Sequence, residues 1–189
     1  ARVGALFHDV GKLRRPLYFK ENQKGGENIH DTLPPLESAQ TIIAHQKDGV
    51  TLLTRYKLPS AVIRIAAEHH GNSLMTYFYH KAKQAEGDKV QIKNFRYSGN
   101  RPSTKESAIV MMADSCEAAV RSLGDTSRDK VEEMVHKVIY GKMTDSDNMM
   151  TNAPLTLAEF TEIEKSFLKT FGGIMHDRIE YPDLAEVKK

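Results

Sequence analysis

The 189-residue chain balances 27 Lys and Arg against 25 Asp and Glu, and a net charge of +2 excludes a dedicated nucleic-acid groove or a membrane-surface patch built on bulk charge. Forty per cent hydrophobic and 28% charged residues describe a soluble globular chain, read as a single domain over 1–189 with a substantial core. The lone Cys116 excludes an internal disulfide framework and a zinc finger and fits a reducing compartment, while no apolar run approaches the roughly 20 residues of a membrane helix.

The chain opens on Ala1, inside a helical stretch, and reads as a piece of a longer protein. That stretch runs into Leu6-Phe7-His8-Asp9-Val10-Gly11-Lys12, where Gly11 is expected to supply a left-handed stop. Adjacent helical residues point about 100° apart, so His8 and Asp9 share one ion only at the rim of a site. The second oxygen of Asp9 is then free to reach another ion. From Pro16 to Pro35 there is no apolar period, and the segment reads as a loop.

Ala39, Ile42, Ile43, Val50 and Leu53 recur at helical spacing between Leu36 and Tyr56 and place His45 on or beside an apolar face, with Gly49 weakening that helix slightly. Leu58-Pro59-Ser60 breaks the chain, and Ser60 is expected to cap a helix through Val62, Ile63, Ile65 and Ala66 to His69-His70, which Gly71 stops. Leu74 to Ala85 forms a further helix with Tyr77, Phe78 and Tyr79. A polar stretch from Glu86 to Arg101 follows, with a weak strand signal near Val90 to Phe95.

Ser103-x-x-Glu106 is a capping-box pattern for a helix from about Lys105 to Leu123. Thr126 opens the next, with Val131, Met134, Val135, Val138 and Ile139 on one face. Thr156-x-x-Glu159 opens another through Leu157, Phe160, Ile163, Phe167, Leu168 and Phe171, and Gly172-Gly173 ends or kinks it. The fold class is all-α.

Asp114 follows the apolar run Ile109 to Ala113 and would lie against the core, where an unpaired charge costs several kcal/mol. It needs a cation, either Arg121 two turns on or a metal ion. His69-His70 is open to division into one surface and one core histidine, and His45 alone reads as an ordinary helix histidine. Taken together, His-Asp, His, His-His and Asp on separate helices resemble the way bundles build dinuclear sites. Nitrogen and carboxylate donors without thiolate suit iron or manganese. Two ions about 3.5 to 4 Å apart would activate water for an in-line phosphoryl displacement. Asp9 is the bridging candidate, and Lys12 is placed to neutralise a phosphate oxygen.

This array resembles the HD-domain phosphohydrolase superfamily, whose signature is a histidine, then His-Asp, then further histidines and a final aspartate. Glu21-Asn22-Gln23, Asn28-Ile29-His30-Asp31, His45-Gln46-Lys47-Asp48-Gly49, Glu68-His69-His70-Gly71, Tyr77-Phe78-Tyr79, Phe95-Arg96-Tyr97 and Ala113 to Arg121 narrow the likeness to the bacterial seven-transmembrane HD family, the PgpH-type cyclic di-AMP phosphodiesterases. His176 to Pro182 resembles that family's closing motif.

The resemblance implies an HD-domain helical bundle with two divalent transition-metal ions. His8, Asp9 and Asp114 would hold one, and Asp9, His45, His69 and His70 the other. It implies hydrolysis of cyclic di-AMP to linear pApA, with no nucleic-acid polymer as partner, by a domain on the cytoplasmic side of the cell membrane. Membrane attachment would come only through segments absent from this chain, and oligomeric assembly stays open. It also implies a further histidine ligand upstream of the His-Asp pair. Gly71-Asn72-Ser73-Leu74-Met75-Thr76-Tyr77 stands where the cyclic di-GMP phosphodiesterases carry Gly-Tyr-Pro, which moves the substrate away from cyclic di-GMP; Ile29 stands where proline is expected.

His30-Asp31 lies in a loop and is read as fixing it rather than binding an ion, and Asn22 and Gln23 as holding the loop's turns. Tyr77 is a candidate for stacking on adenine. Arg121 and Arg178 either contact phosphate or pair with Glu117 and Glu180. The competing readings are hydrolysis of another nucleotide, cyclic di-GMP or a nucleoside phosphate, and a silent nucleotide-sensing domain.

Overall fold

The computed structural model describes residues 1–23, 28–144 and 148–176. Within them the chain is all-α, and the only β pairing is an isolated antiparallel bridge between Leu74 and Arg96. Helix α1 (Arg2–Phe7) ends at His8, which keeps α-helical dihedrals, and Asp9 (φ −103°, ψ 10°) turns the chain into a 3₁₀ turn over Val10–Arg14. Gly11 does not take the expected left-handed stop. It is buried, and a Cβ there would run into the backbone carbonyl of His45.

The segment read as a plain loop is built of short turns, Pro16–Tyr18 and Lys20–Asn22, and a one-turn helix α2 (Ile29–Thr32) that Asn28 caps by accepting from the His30 backbone N–H at 3.2 Å. Helix α3 (Pro35–Arg55) begins with proline at its first position, where no donor is lost. In α4 (Ser60–Glu68), Ser60 is the first helical residue and Pro59 occupies the cap position, so the expected serine cap is absent. Gly71, at φ +54°, does terminate the segment.

Helix α5 (Thr76–Glu86) is followed by 3₁₀ turns at Gly87–Lys89 and Ile92–Phe95, where the weak strand signal lay. Helix α6 (Lys105–Arg121) is capped by Thr104, whose hydroxyl accepts from the Ser107 N–H at 3.2 Å. Ser103 is drawn away instead: its N–H and hydroxyl both donate to the buried Glu68 carboxylate, at 2.9 and 2.7 Å. Helices α7 (Arg128–Thr144) and α8 (Leu157–His176) complete the described fold. At the start of α8, Thr156 and Glu159 do form the reciprocal capping box. Gly172 and Gly173 lie inside α8 and do not end it.

The main core joins Met111, Met112 and Cys116 of α6 to Val131, Val135 and Ile139 of α7 and Phe160 of α8. Each such fully buried side chain contributes about 1.5–3 kcal/mol. A second cluster sets Ala39 of α3 against Phe78 and Ala82 of α5 and Phe95, and a third joins Leu53 to Val62 and Ala66. The end of α1, the middle of α3, the end of α4 and the middle of α6 each send polar side chains to one common centre. No described helix is long and apolar enough to cross a membrane.

Candidate metal centre

Two glycines set the approach of the His-Asp turn to α3. A Cβ on Gly49 would lie only 3.4 Å from the Gly11 nitrogen, and one on Gly11 would overlap α3 itself, so the two backbones cross in contact. That crossing aims Asp9 at His45. Asp9 Oδ1 lies 3.2 Å from His45 Nε2 and 3.5 Å from His69 Nε2, while Oδ2 lies 3.3 Å from His8 Nε2 and 2.6 Å from Lys12 Nζ. On the far side Asp114 of α6 places Oδ1 3.6 Å from His8 Nε2 and Oδ2 3.8 Å from His70 Nδ1.

Three of the histidines are oriented in the same way. The Nδ1 of His8 lies 2.7 Å from the Ala5 carbonyl, that of His45 2.5 Å from Ile42, and that of His69 2.8 Å from Ala66, each three residues back along its own helix. A neutral ring whose Nδ1–H donates to a carbonyl presents Nε2 as a lone pair, and a ring protonated on both nitrogens gives up its Nε2 proton before it can bind a metal.

Burial lowers His69 and His70, so both stay neutral donors near pH 7. Burial also works against charge on Asp9, but His45, His69 and His8 outweigh it and hold the carboxyl far below the usual range. Lys12 bridges Asp9 and Glu21, with Glu21 Oε1 at 2.6 Å, and lies over the Phe19 ring. Despite burial, these two carboxylates raise the Lys12 ammonium, and Lys12 in turn lowers Glu21.

The donors fit metal ions. Asp9, His45, His69 and His70 form one group, and His8, Asp9 and Asp114 a second, with the offered atoms of each group within 4.8 Å of one another. The buried Nε2 of His8 and Oδ1 of Asp9 make no hydrogen bond within the protein. Cys116, by contrast, is pushed up to about 12 by burial and stays a thiol in the core.

The HD domain family profile matches residues 1–119, from the His-Asp turn through the aspartate of α6. The chain belongs to the HD-domain family. This HD domain is 44% identical to the "Cyclic-di-AMP phosphodiesterase PgpH" of Bacillus subtilis (strain 168) over 189 residues, all of this chain and 26% of that protein. It is 43% identical to the protein of the same name from Listeria monocytogenes serotype 1/2a (strain 10403S), over 96% of this chain and 25% of that one. The chain therefore spans about a quarter of the length of these curated relatives.

Among solved structures, the HD domain of L. monocytogenes phosphodiesterase PgpH matches with a TM-score of 0.85 and 41% identity, covering 93% of this chain and 81% of that one. The same domain in complex with cyclic-di-AMP matches at 0.86 and 42%, covering 92% and 79%.

The HD domain brings together His8, Asp9, Lys12, His45, His69, His70 and Asp114. Tyr77 is 66% exposed and its ring meets Phe78, and the Arg121 guanidinium is paired with Glu117 on its own helix. Arg178, Glu180 and the closing motif beyond His176 lie outside the described residues.

His30 fixes the loop as expected, its Nε2 2.7 Å from the Tyr18 carbonyl, and Gln23 donates to the Leu17 carbonyl. Three residues around the centre were not singled out for a role there: Phe19, edge-on to His45; Glu21, on Lys12; and Tyr97, stacked on His70. Glu21 and Tyr97 stood in the motifs that carried the family resemblance, and that is the signal by which they were findable.

Proposed function

We propose that this domain is a metal-dependent phosphodiesterase that opens cyclic di-AMP to linear pApA. The observation that carries the reading is the shared carboxylate of Asp9, whose Oδ1 faces His45 and His69 and whose Oδ2 faces His8, so that two donor groups meet at one residue. Similarity to a domain solved with cyclic-di-AMP supports the choice of substrate.

We assign the two groups to two divalent transition-metal ions, iron or manganese, which nitrogen and carboxylate donors suit. When bound, such a pair supplies Lewis-acid charge to phosphoryl oxygens and acidifies a water. His45 and His69, 2% and 0% exposed, close the inner side of the centre, whereas the Asp9 carboxylate is 27% exposed; the phosphodiester enters from the side of Asp9, His8 and Asp114.

Water forms a bond to one phosphorus as the bond from that phosphorus to the 3′ oxygen breaks, and a proton from the water ends on the 3′ hydroxyl, which opens the ring and leaves a 5′-phosphate. Lys12, kept protonated by Asp9 and Glu21, balances the negative charge that builds on the phosphate. Tyr77 presents an exposed ring suited to stacking on a base. In the intact protein we place the domain, as one unit over 1–189, on the cytoplasmic side of the bacterial membrane, joined to segments outside this chain.

The test is metal analysis of the purified chain with product chromatography after incubation with cyclic di-AMP, for wild type and Asp9→Ala. About two ions per chain, with pApA formed by wild type and lost in the variant, is the expected result. Cleavage of cyclic di-GMP or a nucleoside phosphate alone would reassign the substrate, and nucleotide binding without metal would leave a sensor.

A further inference from the structure

We propose that Tyr97 is the positioning residue of His70, its ring setting the plane in which that imidazole serves the inner donor group. The inference rests on the metal-centre reading above. His8, His45 and His69 are each oriented by a carbonyl three residues back, but His70 is not. The equivalent acceptor, the Ala67 carbonyl, is taken by the Gln46 side-chain amide at 2.7 Å. Without a backbone tether, the His70 ring is held by its neighbours: it is stacked on Tyr97, with centroids 4.2 Å apart and planes inclined by 29°, lies tilted against His69 at 4.0 Å, and meets His45 edge-on at 5.0 Å. Asp114 Oδ2 lies 3.8 Å from its Nδ1, and of these partners Tyr97 is the one outside the donor groups.

Tyr97 is itself fixed. It is 6% exposed, and its N–H donates to the Ser73 carbonyl at 3.0 Å. The Ser73 hydroxyl and N–H both donate to the carbonyl of His70, at 2.5 and 3.0 Å. Next to Tyr97, Arg96 Nη1 donates to the Asn72 carbonyl at 3.0 Å. A closed circuit of bonds thus joins the ligand's own backbone to the ring that stacks on it, so His70 and Tyr97 cannot shift independently. This is a supporting contact of the kind whose loss weakens metal binding about 10- to 100-fold.

Cobalt(II) titration of the purified chain, followed by calorimetry and by the visible d–d bands, tests this with Tyr97→Phe and Tyr97→Leu. Tyr97→Phe should bind two ions like wild type, because the ring face is kept. Tyr97→Leu should bind the first with unchanged affinity and the second about 10- to 100-fold more weakly, with an altered visible band. Should Tyr97→Leu fail to fold by circular dichroism, Tyr97→Met, which fills more of the volume without a ring, is read in the same way. Unchanged binding in the folded non-aromatic variant, or equal loss in Tyr97→Phe, overturns the role of the ring alone. Wild type that binds no cobalt overturns the metal centre and this role with it.

Discussion

The Nε2 atoms of His45 and His69 face each other at 3.3 Å, while each ring turns its Nδ1 to a carbonyl of its own helix, Ile42 and Ala66 respectively. Each Nε2 is thereby turned toward the other and toward the carboxylate of Asp9. A cation in the space between them would meet both nitrogens and Asp9 Oδ1 together. His45→Ala should therefore cost more metal affinity than the roughly 10- to 100-fold that loss of a supporting partner costs. Metal analysis should then find about one ion per chain instead of two. Full retention of both would remove His45 from the centre.

A substitution at Lys12 would separate metal loading from chemistry. Its ammonium touches Asp9 and Glu21 but offers no lone pair. Lys12→Met is expected to keep the metal content and lower kcat by about 10²–10³-fold, the cost of removing one charge-stabilising donor. Steady-state kinetics with metal analysis of the same sample checks this; loss of metal in parallel with kcat would make Lys12 a structural brace.

As a ligand, His8 would give metal uptake a pH dependence of definite sign. Burial pushes its imidazole down, but the Asp114 and Asp9 carboxylates outweigh burial and raise it to about 10. Below that value both ring nitrogens carry protons, so an ion entering the His8, Asp9, Asp114 group displaces one. Apparent manganese affinity should rise by up to about tenfold per unit between about pH 6 and 8, with a proton released on uptake. His69 and His70, held low by burial, add little slope near neutrality. Manganese titration with a pH-stat measures both quantities, and a flat affinity would exclude His8 as a ligand.

Ser103 ties the loop before α6 to the residue preceding the histidine pair. Ser103→Ala removes the hydroxyl bond to the Glu68 carboxylate and leaves the backbone one. A hydrogen bond to a charged group contributes about 1.5–3 kcal/mol, and a loss near the lower figure is expected in urea unfolding. A change within error would mean that water replaces the hydroxyl at no cost.

The helices were legible because apolar residues recur at helical spacing, as from Ala39 to Leu53, and the reciprocal Thr156 and Glu159 cap was legible because its partners are local. Ser103 and Gly11 misled for the opposite reason. Each obeys a local rule for ending or starting a helix, but a distant partner decides its role: Glu68 for Ser103, the α3 backbone for Gly11. The histidines and aspartates stood out as polar groups at the ends or on the apolar faces of helices. Their division into two groups sharing Asp9 came from the family resemblance, since no spacing rule sets the distance between α1, α4 and α6. Phe19, Glu21 and Tyr97 lie in segments without a period; the resemblance points to Glu21 and Tyr97 only as motif members, and the tertiary contacts show what each one touches.

The crossing of Gly11 over Gly49 gives the centre one stiff side and one adjustable side. Where backbone rests on backbone there is no rotamer to change, so the spacing between Asp9 and His45 is inherited from the packing of whole segments. Asp114 reaches the centre from α6 through side-chain torsions, at 3.6 and 3.8 Å from its nearest histidine nitrogens. A redesign that seeks a larger or smaller ion therefore has its freedom on α6, whereas any residue larger than glycine at position 11 pushes the His8–Asp9 turn off the backbone that carries His45.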